Sequence, residues 1–289
     1  MPAVPANGIE LDYQTFGPED GPALLLIHGL GAQMTDWPSM AIDGLIGAGF
    51  HVIAFDNRDQ GRSTWFDEAG APDIGALLVD SDVDVPYLLS DMAADAAALL
   101  EALAIPSAHV LGVSMGGMIA QQLTIDHPHV VTTLTSIMST PSPAVGPPTP
   151  EATAALLVPA VDERSAAIEQ SVATSRIIAS PGFPFDEAGL RSRAEVHFDR
   201  GHHPVGTGRQ LAAILASPDR RPGLAEVTVP TLVVHGDSDP LVTLPGGLAT
   251  AEAVPGAELW VIKGMGHDLP AQVIPELCTR QAALAAVAS

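Results

Sequence analysis

Three short segments carry residue types suited to nucleophilic attack and proton transfer. Gly112-Val113-Ser114-Met115-Gly116-Gly117 offers a serine among small neighbours. Gly236-Asp237-Ser238-Asp239-Pro240 offers two carboxylates, and Lys263-Gly264-Met265-Gly266-His267-Asp268 offers an imidazole flanked by glycine. A serine hydroxyl is a weak nucleophile at its free pKa. It needs a base to take its proton, and the base needs an acid to orient it. Ser114, His267 and Asp239 could fill these three roles.

The pattern G-x-S-x-G is common by chance, so its context decides its meaning. Here the apolar run AHVLGV leads into Ser114 and the helical pattern MGGMIAQQLTID follows at once. A strand-to-helix turn this sharp strains the serine backbone. Small residues at 112 and 116 let neighbouring backbone pass close, and the hydroxyl stands exposed at the sheet's carboxyl edge. A serine at this point could also simply cap the helix.

The chain has ten histidines. His51 and His109 begin strands, and His127 and His129 flank Pro128. His197, His202 and His203 are expected on the surface, with pocket lining as the alternative. His267 lies in a loop between the last strand and the final helix, at the same sheet edge as Ser114, and is the candidate base. Of the two carboxylates after TLVVHG, Asp239 lies farther into the loop and precedes Pro240, which favours an extended conformation. Asp239 is the expected acid. Asp237 is then a turn residue accepting backbone N–H groups.

Acyl transfer also needs two N–H donors where negative charge develops. Met115, next after the serine, supplies one. Leu30, in the loop His28-Gly29-Leu30-Gly31, is the candidate for the second. His28 is expected to brace this loop rather than move protons. Trp37, Met138, Phe183, Phe185 and Leu241 are the expected apolar pocket lining, together with Leu30 and Met115.

These residues require a sheet whose strands end at one edge. PALLLIHG (22–29), HVIAFDN (51–57), AHVLGVS (108–114), VVTTLTSIM (130–138), TLVVHGD (231–237) and AELWVIK (257–263) read as buried strands. Such continuous apolar runs suit parallel strands covered on both faces. Helical patterns at about 86–104, 115–127, 245–253 and 270–287 alternate with them, which predicts an α/β, doubly wound, mostly parallel sheet. The proline-rich PSPAVGPPTP opens a stretch, 141–222, with helical patterns at 151–160, 163–178, 186–200 and 206–216 but no strand. It reads as a helical cap (lid) over the carboxyl ends of the strands, where open α/β sheets bind ligands. The catalytic core is then 1–140 plus 223–289.

Composition narrows the partners. The 289 residues include 34 acidic and 12 basic ones, a formal charge of −22. Such a surface repels phosphate backbones and anionic lipid, so no nucleic-acid and no membrane partner is expected. No apolar run approaches the roughly 20 residues needed to span a bilayer. The start lacks a basic segment followed by an apolar one, so no signal peptide is expected. The single Cys278 fits a reducing, cytoplasmic setting.

Taken together, His28-Gly29-Leu30-Gly31, Asp56-Asn57-Arg58-Asp59-Gln60-Gly61-Arg62-Ser63, the serine turn, Gly236-Asp237-Ser238-Asp239 and Gly266-His267 resemble the α/β-hydrolase superfamily, in its order and over nearly the whole chain. The order serine, acid, base is that of the superfamily. Some members carry the acid one strand earlier, but Ile137-Met138-Ser139-Thr140-Pro141 offers no carboxylate there. One departure is Asp59, where the superfamily often has glycine. HVIAFDNRDQGRST, GMGHDLP and the helical insertion are similar to the aclacinomycin methylesterase-like carboxylesterases. That resemblance implies a carboxylesterase-type serine hydrolase acting on a small-molecule ester without a cofactor. Lactonases, perhydrolases and carbon–carbon bond hydrolases share the scaffold, as does a ligand-binding protein that keeps the fold without turnover.

Overall fold

The computed structural model describes residues 2–79 and 83–288, so the expected core limits at Met1 and Ser289 lie outside the described residues. The strands are β1 (Ala3–Ala6), β2 (Ile9–Phe16), β3 (Ala23–Ile27), β4 (His51–Phe55), β5 (Ala108–Val113), β6 (Val131–Ile137), β7 (Thr231–Gly236) and β8 (Glu258–Ile262). They form one sheet in the order β1-β2-β4-β3-β5-β6-β7-β8. The pairs from β4 through β8 are parallel. β1 and β2 pair antiparallel with each other, and β2 pairs antiparallel with β4.

The six expected strands are present within a few residues of their ends. The β1–β2 hairpin is an addition. It turns at Asn7 (φ +49°) and Gly8 (φ +78°). Two successive positive φ angles define the tight hairpin turn that Asn-Gly favours.

The helices are α1 (Ser39–Gly47), α2 (Ile74–Leu77), α3 (Leu89–Ala102), α4 (Met115–Asp126), α5 (Pro150–Leu156), α6 (Arg164–Ile178), α7 (Glu187–Gly201), α8 (Pro204–Ala216), α9 (Arg221–Leu224), α10 (Pro245–Ala253) and α11 (Ile274–Val287). Alternate side chains of each central strand go to opposite faces. Leu25, Ile27 and Val110 join the cluster built with Leu99, Leu100, Ile119 and Leu123 of α3 and α4. Leu24, Leu26, Leu111 and Val113 join Ile42 and Leu45 of α1 and Ile274 and Leu277 of α11. Burial on both faces is why these strands read as unbroken apolar runs.

Helices α5 to α9 all fall between β6 and β7. Two arginines tie this segment to the core. Arg200 of α7 pairs with Asp12 at 2.5 Å and Asp56 at 2.6 Å, all three side chains being buried. Arg209 of α8 grips Asp59 with two hydrogen bonds, Nε to Oδ2 at 2.8 Å and Nη2 to Oδ1 at 2.6 Å. Tyr87 Oη–H donates to Asp59 Oδ2 at 2.6 Å, and the Phe66 N–H donates to Oδ1 at 2.8 Å. Asp59 has φ +68°, which is where glycine is otherwise favoured. Its carboxylate, with four donors, explains an aspartate at this strained position.

Candidate active site

The site is built from three strand ends. β5 runs into Ser114, whose backbone is held at φ 55°, ψ −122°. This conformation costs a non-glycine residue on the order of 1–3 kcal/mol and persists only where the surroundings enforce it. Here they do. A Cβ on Gly112 would lie 2.1 Å from Gly116 O, and one on Gly116 would lie 2.0 Å from Ile27 O. Glycine at both positions lets α4 start hard against β3 and β5. The Ser114 side chain makes no capping bond to α4. Capping is therefore not its role, and its Oγ faces His267 Nε2 at 2.9 Å.

His267 follows β8, and its Nδ1 lies 2.8 Å from Asp239 Oδ2. An ionised carboxylate only accepts, so in the neutral ring Nδ1 carries the proton and Nε2 presents its lone pair to the Ser114 hydroxyl. Asp239 sits just past β7 and is buried. Its Oδ1 accepts the Leu241 and Val242 N–H groups at 2.9 and 3.0 Å. Asp237 is exposed and accepts the Gly264 N–H at 2.7 Å. It stitches two loops together and stays outside the chain of contacts from Ser114 to Asp239.

A Cβ on Gly29 would sit 3.2 Å from Ser114 Cβ, so the loop after β3 lies directly against the serine. Among the described residues, no acceptor is paired with the Leu30 or Met115 N–H. The neighbouring donors are occupied: Gly31 N–H goes to Gln210 Oε1 at 2.9 Å and Gly29 N–H to His28 Nδ1 at 2.8 Å. His28 thus has the bracing contact expected of it. Burial, the largest influence, pushes its pKa down to about 4 against the opposing pull of Asp36. The Met115 side chain is buried in the α3–α4 cluster, so only its backbone faces the serine.

The expected lining residues divide. Trp37, Met138 and half-buried Phe183 share one apolar cluster with Met265 of the loop that carries His267. Trp37 also packs on His28, with ring centroids 4.7 Å apart. Phe185 lies under the Arg176 guanidinium at 4.6 Å and lines an outer groove with Phe183, Ser238 and Pro240. Leu241 is joined to the site through its backbone N–H.

The expectation of surface histidines in the insertion fails for His203. It is buried, stacks on Trp65 with centroids 4.0 Å apart, and faces Asp67 at 2.8 Å. Its partners come from the loop after β4, which no local reading connects to it. His197 is half-buried against Asp36 at 2.9 Å. Gln210 also escaped sequence reasoning, because it reaches Gly31 from a helix 179 residues away in sequence. Among the described residues, no three His, Cys, Asp or Glu side chains group as a metal site would need. No helix among them is long and apolar enough to cross a membrane.

A mostly parallel sheet with a strained serine between β5 and α4 defines a class, and comparison with known proteins agrees. The alpha/beta hydrolase fold family matches residues 22–271, and the chain belongs to it. It is a hydrolase enzyme. It is similar to rhodomycin D methylesterase DnrP of Streptomyces peucetius, 31% identical over 285 residues, covering 89% of this chain and 88% of that protein. Rhodomycin D methylesterase DauP of Streptomyces sp. (strain C5) is 30% identical over 282 residues, with the same coverage of 89% and 88%. 3-Oxoadipate enol-lactonase 2 of Acinetobacter baylyi is 27% identical over 258 residues, covering 89% and 86%. The crystal structure of the enol-lactonase from Burkholderia xenovorans LB400 superposes with a TM-score of 0.71 at 22% identity, covering 98% of each chain, and supports the fold.

Proposed function

We propose that the protein hydrolyses carboxylic esters of small molecules through an acyl-enzyme intermediate. His267 Nε2 takes the Ser114 proton as Oγ attacks the ester carbonyl carbon. The Leu30 and Met115 N–H groups hold the oxyanion of the tetrahedral intermediate. The carbon–alkoxy bond then breaks and the imidazolium gives its proton to the leaving alcohol. Water, deprotonated by the same nitrogen, attacks the acyl group, and the acid leaves as Ser114 regains its proton. Asp239 holds His267 in the Nδ1–H form and stabilises its cation. Trp37, Met138 and Phe183 form an apolar wall for the substrate, and residues 141–222 act as the cap that closes over it.

The observation that carries this reading is the continuous chain from Ser114 Oγ through His267 to Asp239, at 2.9 and 2.8 Å, with the serine backbone strained. The methylesterase relatives favour an ester with a small alcohol, and the enol-lactonase relative makes cyclic esters the second reading. A panel of p-nitrophenyl esters of rising acyl length, methyl esters and lactones tests the choice. Open-chain esters should be hydrolysed fastest. Turnover of lactones alone would overturn the ester reading.

A further inference from the structure

The loop that carries His267 is fastened to the end of α6 on both sides of the histidine. Gly182 N–H donates to Gly264 O, and His267 N–H donates to Ile178 O, each at 2.8 Å. Between these lies a side-chain bridge. Gly266 N–H donates to Ser180 Oγ at 2.8 Å. Ser180 Oγ–H donates in turn to Asp268 Oδ1, which also accepts the Ser180 N–H at 2.8 Å. The two flanking residues of His267 are thus tied to one buried hydroxyl group.

The two backbones also touch. A Cβ on Gly266 would lie 2.5 Å from Ala179 O, and one on Gly182 would lie 2.8 Å from Gly264 Cα. The glycines around the histidine therefore serve close docking on residues 178–182. The contacts from the sheet side reach the loop earlier, where Asp237 Oδ1 accepts the Gly264 N–H and the Ser238 N–H donates to Met265 O at 3.1 Å, and at the His267 ring through Asp239. Asp239 fixes which way the ring points. It does not fix where the backbone of residue 267 stands.

We infer that Ser180 and Asp268 are positioning residues for His267, so that the cap, and not the sheet alone, sets the distance from the base to Ser114. The inference rests on the triad reading above. A base displaced by about 1 Å loses on the order of 10²-fold in rate without any change in substrate contacts. The role assigned to Asp268 is that of an acceptor in a fixed place, so an amide oxygen can replace its carboxylate.

Steady-state kinetics of Ser180→Ala and Asp268→Ala should show kcat lowered about 10–100-fold with KM within about twofold. Asp268→Asn, which keeps Oδ1, should recover most of the rate. Placed in a His267→Ala background, neither alanine substitution should reduce the residual rate further, because each acts through the histidine. The inference is overturned if the alanine variants are as active as wild type, or if they lose the same factor with His267 absent. It is also overturned if Asp268→Asn is as slow as Asp268→Ala. Should Ser180→Ala fail to fold, the two Asp268 variants decide alone. Full activity of His267→Ala would instead sink the triad reading itself.

Discussion

The carboxyl edge of the sheet and the helices between β6 and β7 are held together by different forces. At the sheet edge, position comes from backbone. Gly112 and Gly116 let β3, β5 and α4 close up, Ser114 and Asp239 follow from where strands end, and the loop after β8 that carries His267 docks by backbone on residues 178–182. In the inserted helices, position comes from charge. Eight of the twelve basic residues lie there: Arg164, Arg176, Arg191, Arg193, Arg200, Arg209, Arg220 and Arg221. Two of them, Arg200 and Arg209, reach buried carboxylates of the core. An apolar sheet fixes atoms by packing at many points. A charged contact concentrates the fit in a few atoms, where one substitution can undo it.

The largest effects should come from the sheet edge. His267→Ala should lower kcat on the order of 10⁶-fold if the three side chains act as a unit. Asp239→Asn should cost about 10⁴-fold, because the amide N–H₂ can face Nδ1 only when the ring takes the wrong tautomer. Neither change should move the urea unfolding midpoint by as much as it moves the rate.

The inserted helices should respond in the opposite sense. Arg209→Met strands the buried Asp59 carboxylate; burial, the largest single influence, pushes its pKa up, and Arg209, Tyr87 and the Phe66 N–H together outweigh it and hold the pKa below the usual carboxylate value. Breaking such a pair costs about 3–5 kcal/mol. Urea denaturation should show that loss, while the protein that remains folded keeps kcat within about tenfold. A far larger fall in kcat would erase the division between the two regions.

The elements legible from sequence are those whose partners are near or whose pattern is strong. β5, Ser114 and α4 form one continuous signal. The β1–β2 hairpin has its signal in Asn7-Gly8 between short alternating segments, which is weaker than the long apolar runs of the central strands. α1 contains Gly44 and Gly47, each poor for a helix, and stands because Ala41, Ile42 and Leu45 bury against the sheet. Asp59 reads as an odd substitution until Arg209 arrives from 150 residues away. Ser180 has no marker, since its work depends on a glycine loop brought beside it by the fold.

Acid should separate the regions again. His28 has a folded pKa of about 4 against 6.5 for the free side chain. The unfolded chain therefore takes up the proton first as pH falls. Stability from the neutral His28 is fully present above pH 6.5 and is lost as pH falls towards 4. The loss should be about 2–3 kcal/mol, and His28→Asn should lose correspondingly less between pH 7 and pH 4.5 in the same urea titration. The smallest effect should be at the exposed pair Arg191–Glu169 of α7 and α6. Arg191→Ala should leave the unfolding midpoint in place, since water competes for both groups.

Labelling with a fluorophosphonate probe reports directly on Ser114 as the nucleophile. One label per wild-type chain is expected, recovered on the peptide containing Ser114, and none on a folded Ser114→Ala variant. A label that persists in Ser114→Ala, or ester hydrolysis by that variant at the wild-type rate, would contradict it.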